Sequence, residues 1–76
     1  MAELKYDEVK TIGVISERTG WAKKLKLISW NGRPAKYDIR EWSQPDDEKL
    51  MKGLTFTKEE AAILRDLLTE ALKDEE

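Results

Sequence analysis

Two alternating runs on either side of an Asn-Gly pair constrain this chain most. Lys24-Leu25-Lys26-Leu27-Ile28-Ser29-Trp30 repeats with period two, the period of a strand whose faces differ. Asn31-Gly32 follows, and both residues tolerate the positive φ of a tight hairpin turn. Arg33-Pro34 comes next, and the proline argues for a loop or a sheet edge. A second run, from about Ala35 to Ser43, alternates again. Tyr37 and Ile39 share one face; Asp38, Arg40 and Trp42 share the other.

The remaining elements are read outward from this pair. Residues from about Tyr6 to Arg18 form a first strand, with Ile12, Val14 and Ile15 supplying β-branched side chains. Thr19-Gly20 turns the chain, and Trp21 starts the second strand. Gln44-Pro45-Asp46-Asp47-Glu48 reads as a polar loop with a proline-initiated turn. A short fourth strand is expected from about Lys49 to Phe56. Gly53 inside it signals a bulge or a close backbone approach, and Leu54 and Phe56 are expected to face the core. Thr57-Lys58-Glu59-Glu60 fits a helix capping box. Leu64, Leu67, Leu68, Ala71 and Leu72 then recur at three- and four-residue spacing along a helix from Ala61 to Lys73. The acidic end Asp74-Glu75-Glu76 opposes the helix dipole and is expected to fray. The fold class is α+β: a four-stranded antiparallel meander followed by one C-terminal helix lying across one sheet face, leaving the other bare.

The 76 residues allow a single domain, spanning 1–76. A domain of this size buries only about 60% of the surface its unfolded chain exposes. It has no cysteine for a disulfide and no histidine, the commonest zinc ligand and general base. No metal and no cofactor are expected, and oligomerisation is the remaining route to extra burial, so a homodimer is expected. No apolar run reaches the roughly 18 residues that span a membrane. The charged start Met1-Ala2-Glu3-Leu4-Lys5 lacks the apolar stretch of a signal peptide, which makes the cytoplasm the expected compartment.

The net charge of -2 hides two unlike regions. From Arg18 to Trp42 seven cations face two acids, 7 - 2 = +5; from Thr57 to Glu76 three cations face seven acids, 3 - 7 = -4. A basic sheet and an acidic helix follow. On the bare face Lys24, Lys26, Trp30, Arg40 and Trp42 would lie together. Cations there can meet phosphates while flat aromatics stack on unpaired bases. Arg33 in the hairpin loop and Lys52 before Gly53 can join them. The competing reading puts the tryptophans in a dimer interface or a barrel-like core, but interleaved charge is depleted from interface cores. Trp21 is as readily a packing residue as a binding one. Asp46, Asp47 and Glu48 read as a solvated loop. No set of residues suggests catalysis or a small-molecule substrate, so an enzyme is not expected.

Tyr37-Asp38-Ile39-Arg40-Glu41-Trp42, then Pro45, then Met51-Lys52-Gly53-Leu54-Thr55-Phe56-Thr57 before an acidic helix start, resembles the transcriptional coactivator positive cofactor 4 domain. The small bacterial YdbC-like branch looks closest. The resemblance runs from about Tyr6 to Leu72. It implies a homodimer assembled partly through the helices, whose two curved sheets bind single-stranded DNA. It also implies that Trp30 is the stacking aromatic ending the second strand and Arg33 a basic hairpin residue. Arg40 matches the strand-three arginine, Lys52 the lysine before the strand-four glycine, and Trp42 the aromatic segment after Arg-Glu. The expected function is sequence-tolerant single-stranded DNA binding, in transcription regulation or DNA repair. Two alternatives stay open: a single-stranded RNA-binding regulator, and a protein-interaction module docking an acidic partner.

Overall fold

Asn31 and Gly32 take φ values of 52° and 74°, and the Arg33 amide donates to the Trp30 carbonyl at 3.0 Å. This is the tight turn that Asn-Gly favours. In the computed structural model, which describes residues 5–74, it joins two of four strands. In chain order these are β1 Tyr6–Arg18, β2 Trp21–Trp30, β3 Lys36–Ser43 and β4 Leu54–Phe56, followed by helix α1 Lys58–Lys73. Every neighbouring pair is antiparallel and the spatial order is β1-β2-β3-β4, so the expected meander and single helix are present. Met1 to Leu4 and the acidic Glu75-Glu76 end lie outside the described residues. Among the described residues no helix is long and apolar enough to cross a membrane.

The long β1 strand slips register against β2 at three places, between Glu8 and Lys10, Thr11 and Gly13, and Val14 and Ser16. Such bulges bend a strand and raise its twist. From β1, Tyr6 reaches Trp30 and Trp42, and Glu8 reaches Lys26. On the far side the turn after β3 folds onto the same face. The Gln44 amide donates to the Gly20 carbonyl at 2.9 Å and the Asp47 amide to the Ser43 carbonyl at 2.7 Å.

The expected bare face is therefore not bare. The fully buried side chains, Ala22, Lys26, Ile28, Asp38 and Trp42, all stand on the polar face, enclosed by β1 and the 44–48 turn. The open face is the apolar one. Leu25, Leu27, Tyr37, Ile39 and Phe56 line a groove of about 880 Å³ between the sheet and α1. The helix buries no residue, and Ile63 and Leu67 stay 59% and 63% exposed. The inversion has a plain cause: ion pairing and three bulges let the polar face close on itself, whereas one helix is too narrow to cover four strands.

The capping box forms as expected. Glu60 N–H donates to Thr57 Oγ1 at 3.1 Å, and Thr57 N–H donates to Glu60 Oε1 at 2.8 Å. The fourth strand is shorter than expected, because its pairing with β3 breaks at Lys52-Gly53, where the register moves by one residue between the Trp42–Leu50 bridge and the Ile39–Leu54 pair. Leu50 makes one isolated bridge to Trp42, and Met51 N–H donates to the Glu41 carbonyl at 3.0 Å. A Cβ on Gly53 would collide with the Ile39 carbonyl and the Arg40 Cβ, so only glycine allows this close approach at the register slip. Leu54 then lies at the sheet edge, 69% exposed, rather than in the core; Phe56 stacks on Tyr37 with centroids 6.1 Å apart.

Candidate nucleic-acid interface

Register places Ala22 opposite Trp42, Lys24 opposite Arg40 and Lys26 opposite Asp38. Period two then brings Lys24, Lys26, Ile28, Trp30, Asp38, Arg40 and Trp42 onto one face, as the alternation predicts. The two ends of this face differ sharply.

At one end the cations are neutralised. Lys26 is fully buried; its ammonium donates to Glu8 Oε1 and to Asp47 Oδ2, both at 2.6 Å, and sits 3.7 Å from the Trp42 ring centroid. Burial works against its charge, but the hydrogen bonds to Asp47 and Glu8 outweigh that and raise its pKa. Lys24 donates to both Asp47 oxygens, at 2.9 and 3.1 Å. Burial alone would raise the Asp47 carboxyl. Hydrogen bonds from Lys24, Lys26 and Gln44 hold it instead at about 2. The hydrogen bond from Lys26 likewise lowers the Glu8 carboxyl, against a smaller opposing effect of burial. Trp42 is fully buried, with Lys26 over its ring and Tyr6 5.7 Å away, centroid to centroid. No ring face is left for a base, so in this arrangement Trp42 is a wall. Asp47 is not the solvated loop residue its sequence context suggests.

At the other end a groove of about 350 Å³ is open, lined by Trp30, Asn31, Arg33, Pro34, Lys36, Arg40 and Thr55. Arg40 is held rigidly. Its Nε and Nη2 donate to the two oxygens of the buried Asp38, each at 2.7 Å, and its Nη1 donates to the Met51 carbonyl at 3.3 Å. The guanidinium carbon lies 4.7 Å from the centroid of Trp30, within cation–π range. Tyr6 tilts against Trp30 at 5.1 Å and 45°. Trp30 is thus braced on two sides while remaining partly exposed. Arg33 and Lys36 are exposed and form no ion pair among the described residues.

The seven residues singled out from sequence therefore divide. Trp30, Arg33 and Arg40 meet in the open groove; Lys24, Lys26 and Trp42 belong to the closed end; Lys52 is exposed but does not line the groove. Trp21 lies off this face. The Arg18 guanidinium sits 5.8 Å from its ring centroid and is itself forked by Glu41 at 2.7 and 3.0 Å. Lys36 and Thr55 also line this groove and are not among the seven. For Lys36 the signal was present, since it shares the strand-three alternation with Asp38 and Arg40. The pairing of Glu8 and Asp47 with the lysines had no local signal, because it joins three separate segments.

The chain is thus an α+β domain, an antiparallel meander followed by one helix, whose sheet carries a braced tryptophan beside exposed cations at the hairpin end. Residues 18–67 match the family of transcriptional coactivator p15 (PC4), and the chain belongs to that family. It is also 51% identical over 67 residues to an uncharacterized protein of Treponema pallidum (strain Nichols), covering 87% of this chain and 78% of that one.

Proposed function

We propose that this protein binds single-stranded DNA with little sequence preference, through the groove at the Trp30 end of its sheet. The observation that carries the reading is the partly exposed Trp30, braced by Arg40 and Tyr6 beside Arg33 and Lys36, which form no ion pair among the described residues. A base stacked on Trp30 gains about 1–3 kcal/mol, and each phosphate neutralised adds about 0.7 to the salt slope. Arg33 and Lys36 supply the phosphate contacts. Arg40 contributes mainly its rigid plane, because Asp38 already offsets its charge, and Lys52 extends the basic rim. Membership of a family described as transcriptional coactivators supports a role in transcription regulation. The Treponema relative supports a place in a small bacterial branch.

We also propose a homodimer. The apolar groove and the exposed Ile63, Leu67 and Leu54 leave apolar surface of both sheet and helix uncovered, as an interaction face does. A second copy's helix has the shape and chemistry to cover it, and Leu68→Glu is expected to yield monomers in sedimentation.

The test is a titration of oligothymidine of about 20 nucleotides, followed by tryptophan fluorescence at two salt concentrations. Matched RNA and blunt duplex DNA run beside it. Quenching by the DNA strand, weakened by salt and poor with duplex, is the expected result. No quenching at low salt overturns the reading. Equal or tighter binding of RNA moves the substrate to the other nucleic acid.

A further inference from the structure

The acidic turn after β3 holds three carboxylates, and their surroundings differ. Asp46 and Glu48 are exposed, while Asp47 turns onto the sheet with φ of 57°. That left-handed conformation is uncommon for a residue with a side chain, though aspartate and asparagine tolerate it. It lets one carboxylate accept from Lys24, Lys26 and Gln44 at 2.6 to 3.1 Å. Two ammonium groups converging on two oxygens is also the arrangement that binds a phosphodiester. Lys26 and Trp30 lie four residues apart on the same strand face, about 13 Å. A strand stacked on Trp30 and running along the sheet would come to the Asp47 carboxylate, which together with Glu8 leaves Lys26 no exposed surface.

We infer that Lys24 and Lys26 form a second phosphate subsite, kept shut by Asp47 acting as an internal stand-in for the phosphate. The inference rests on the nucleic-acid reading of the Trp30 groove. A phosphate entering this subsite exchanges one anion for another and releases no counterion from either lysine, so it adds little affinity. The wild-type chain thus binds with fewer phosphates than its face has cations. Glu8 holds Lys26 from the opposite side, so removal of Asp47 frees Lys24 fully and Lys26 in part.

The experiment compares wild type with Asp47→Asn, which keeps the turn conformation and removes the charge. Oligothymidine affinity is measured from about 0.05 to 1 M salt. The variant is expected to steepen the slope by about 0.7 to 1.4, giving roughly tenfold or more tighter binding at the lowest salt and convergence at the highest. Wild-type binding with the same slope and affinity in Asp47→Asn overturns the gate and leaves the Trp30 groove standing. Absence of binding by both proteins overturns the groove reading and the gate with it. A second measurement needs no variant: acetylation of wild-type lysines mapped by mass spectrometry. Lys24 is expected to react more slowly than Lys36, and the oligonucleotide is expected to protect Lys36 while leaving the Lys24 rate unchanged. Protection of Lys24 in the wild type, or reaction as fast as Lys36, overturns the gate.

Discussion

Trp30 and Trp42 stand on one face of one sheet, and each has a cation over its ring, yet they have opposite fates. Trp42 sits under the buried Lys26, behind two carboxylates, with no exposed surface. Trp30 sits under Arg40 at the hairpin end, where β1 only begins and the acidic turn does not reach, and it faces an open groove. Residue type and face therefore do not decide availability. What decides it is which neighbouring segment supplies the counter-charge. At the closed end that segment covers the ring; at the open end Asp38 pairs with Arg40 from within the same strand and covers nothing outside.

The contrast can be broken most forcefully at Trp42. Trp42→Ala is expected to cost about 3–5 kcal/mol of stability, as truncation of a large buried aromatic does. Chemical denaturation would read it, and a loss within error of zero would place Trp42 outside the core. Trp30→Ala should act the other way round. Oligonucleotide affinity falls by about 1–3 kcal/mol in a titration, with the salt slope nearly unchanged and most stability kept. A variant that unfolds instead would make the two tryptophans alike.

The carboxylates of the closed end give a smaller effect with a definite sign. Asp47 has its pKa lowered from 3.8 to about 2, so its contribution is present above the unfolded value and is lost as pH falls toward 2. At about 1.36 kcal/mol per unit the contribution is at most about 2–3 kcal/mol. Denaturation midpoints taken between about pH 5 and 2 should fall more steeply in wild type than in Asp47→Asn. Parallel curves would mean that the lysine pair does not hold this carboxylate. Smallest of all, Arg33→Ala and Lys36→Ala should each reduce the salt slope by about 0.7 in the oligonucleotide titration, without altering the melting curve. An unchanged slope in both would move the phosphate path away from the hairpin.

The elements were legible because their signals are local. Alternation from Lys24 to Trp42 around Asn31-Gly32 gave the central hairpin, and Thr57 with Glu60 gave the helix start. The shared face of Trp30 and Arg40 was legible for the same reason. What was not legible depends on contacts across the chain. The closing of the polar face needs Glu8 from β1 and Asp47 from a turn to meet Lys26, pairs 18 and 21 residues apart. The short β4 needs Gly53 to lie close against Arg40, a glycine that the sequence marks without saying what it approaches. Leu54 looked like a core residue because alternation gives its face but not whether anything covers that face.

The most direct test separates the two tryptophans as reporters. Oligothymidine is titrated into Trp30→Phe and, separately, Trp42→Phe, each of which keeps an aromatic ring but removes one indole signal. Quenching is expected to be lost in Trp30→Phe and kept in Trp42→Phe. Quenching that survives in Trp30→Phe and disappears in Trp42→Phe would place the stacked base at the closed end and contradict it.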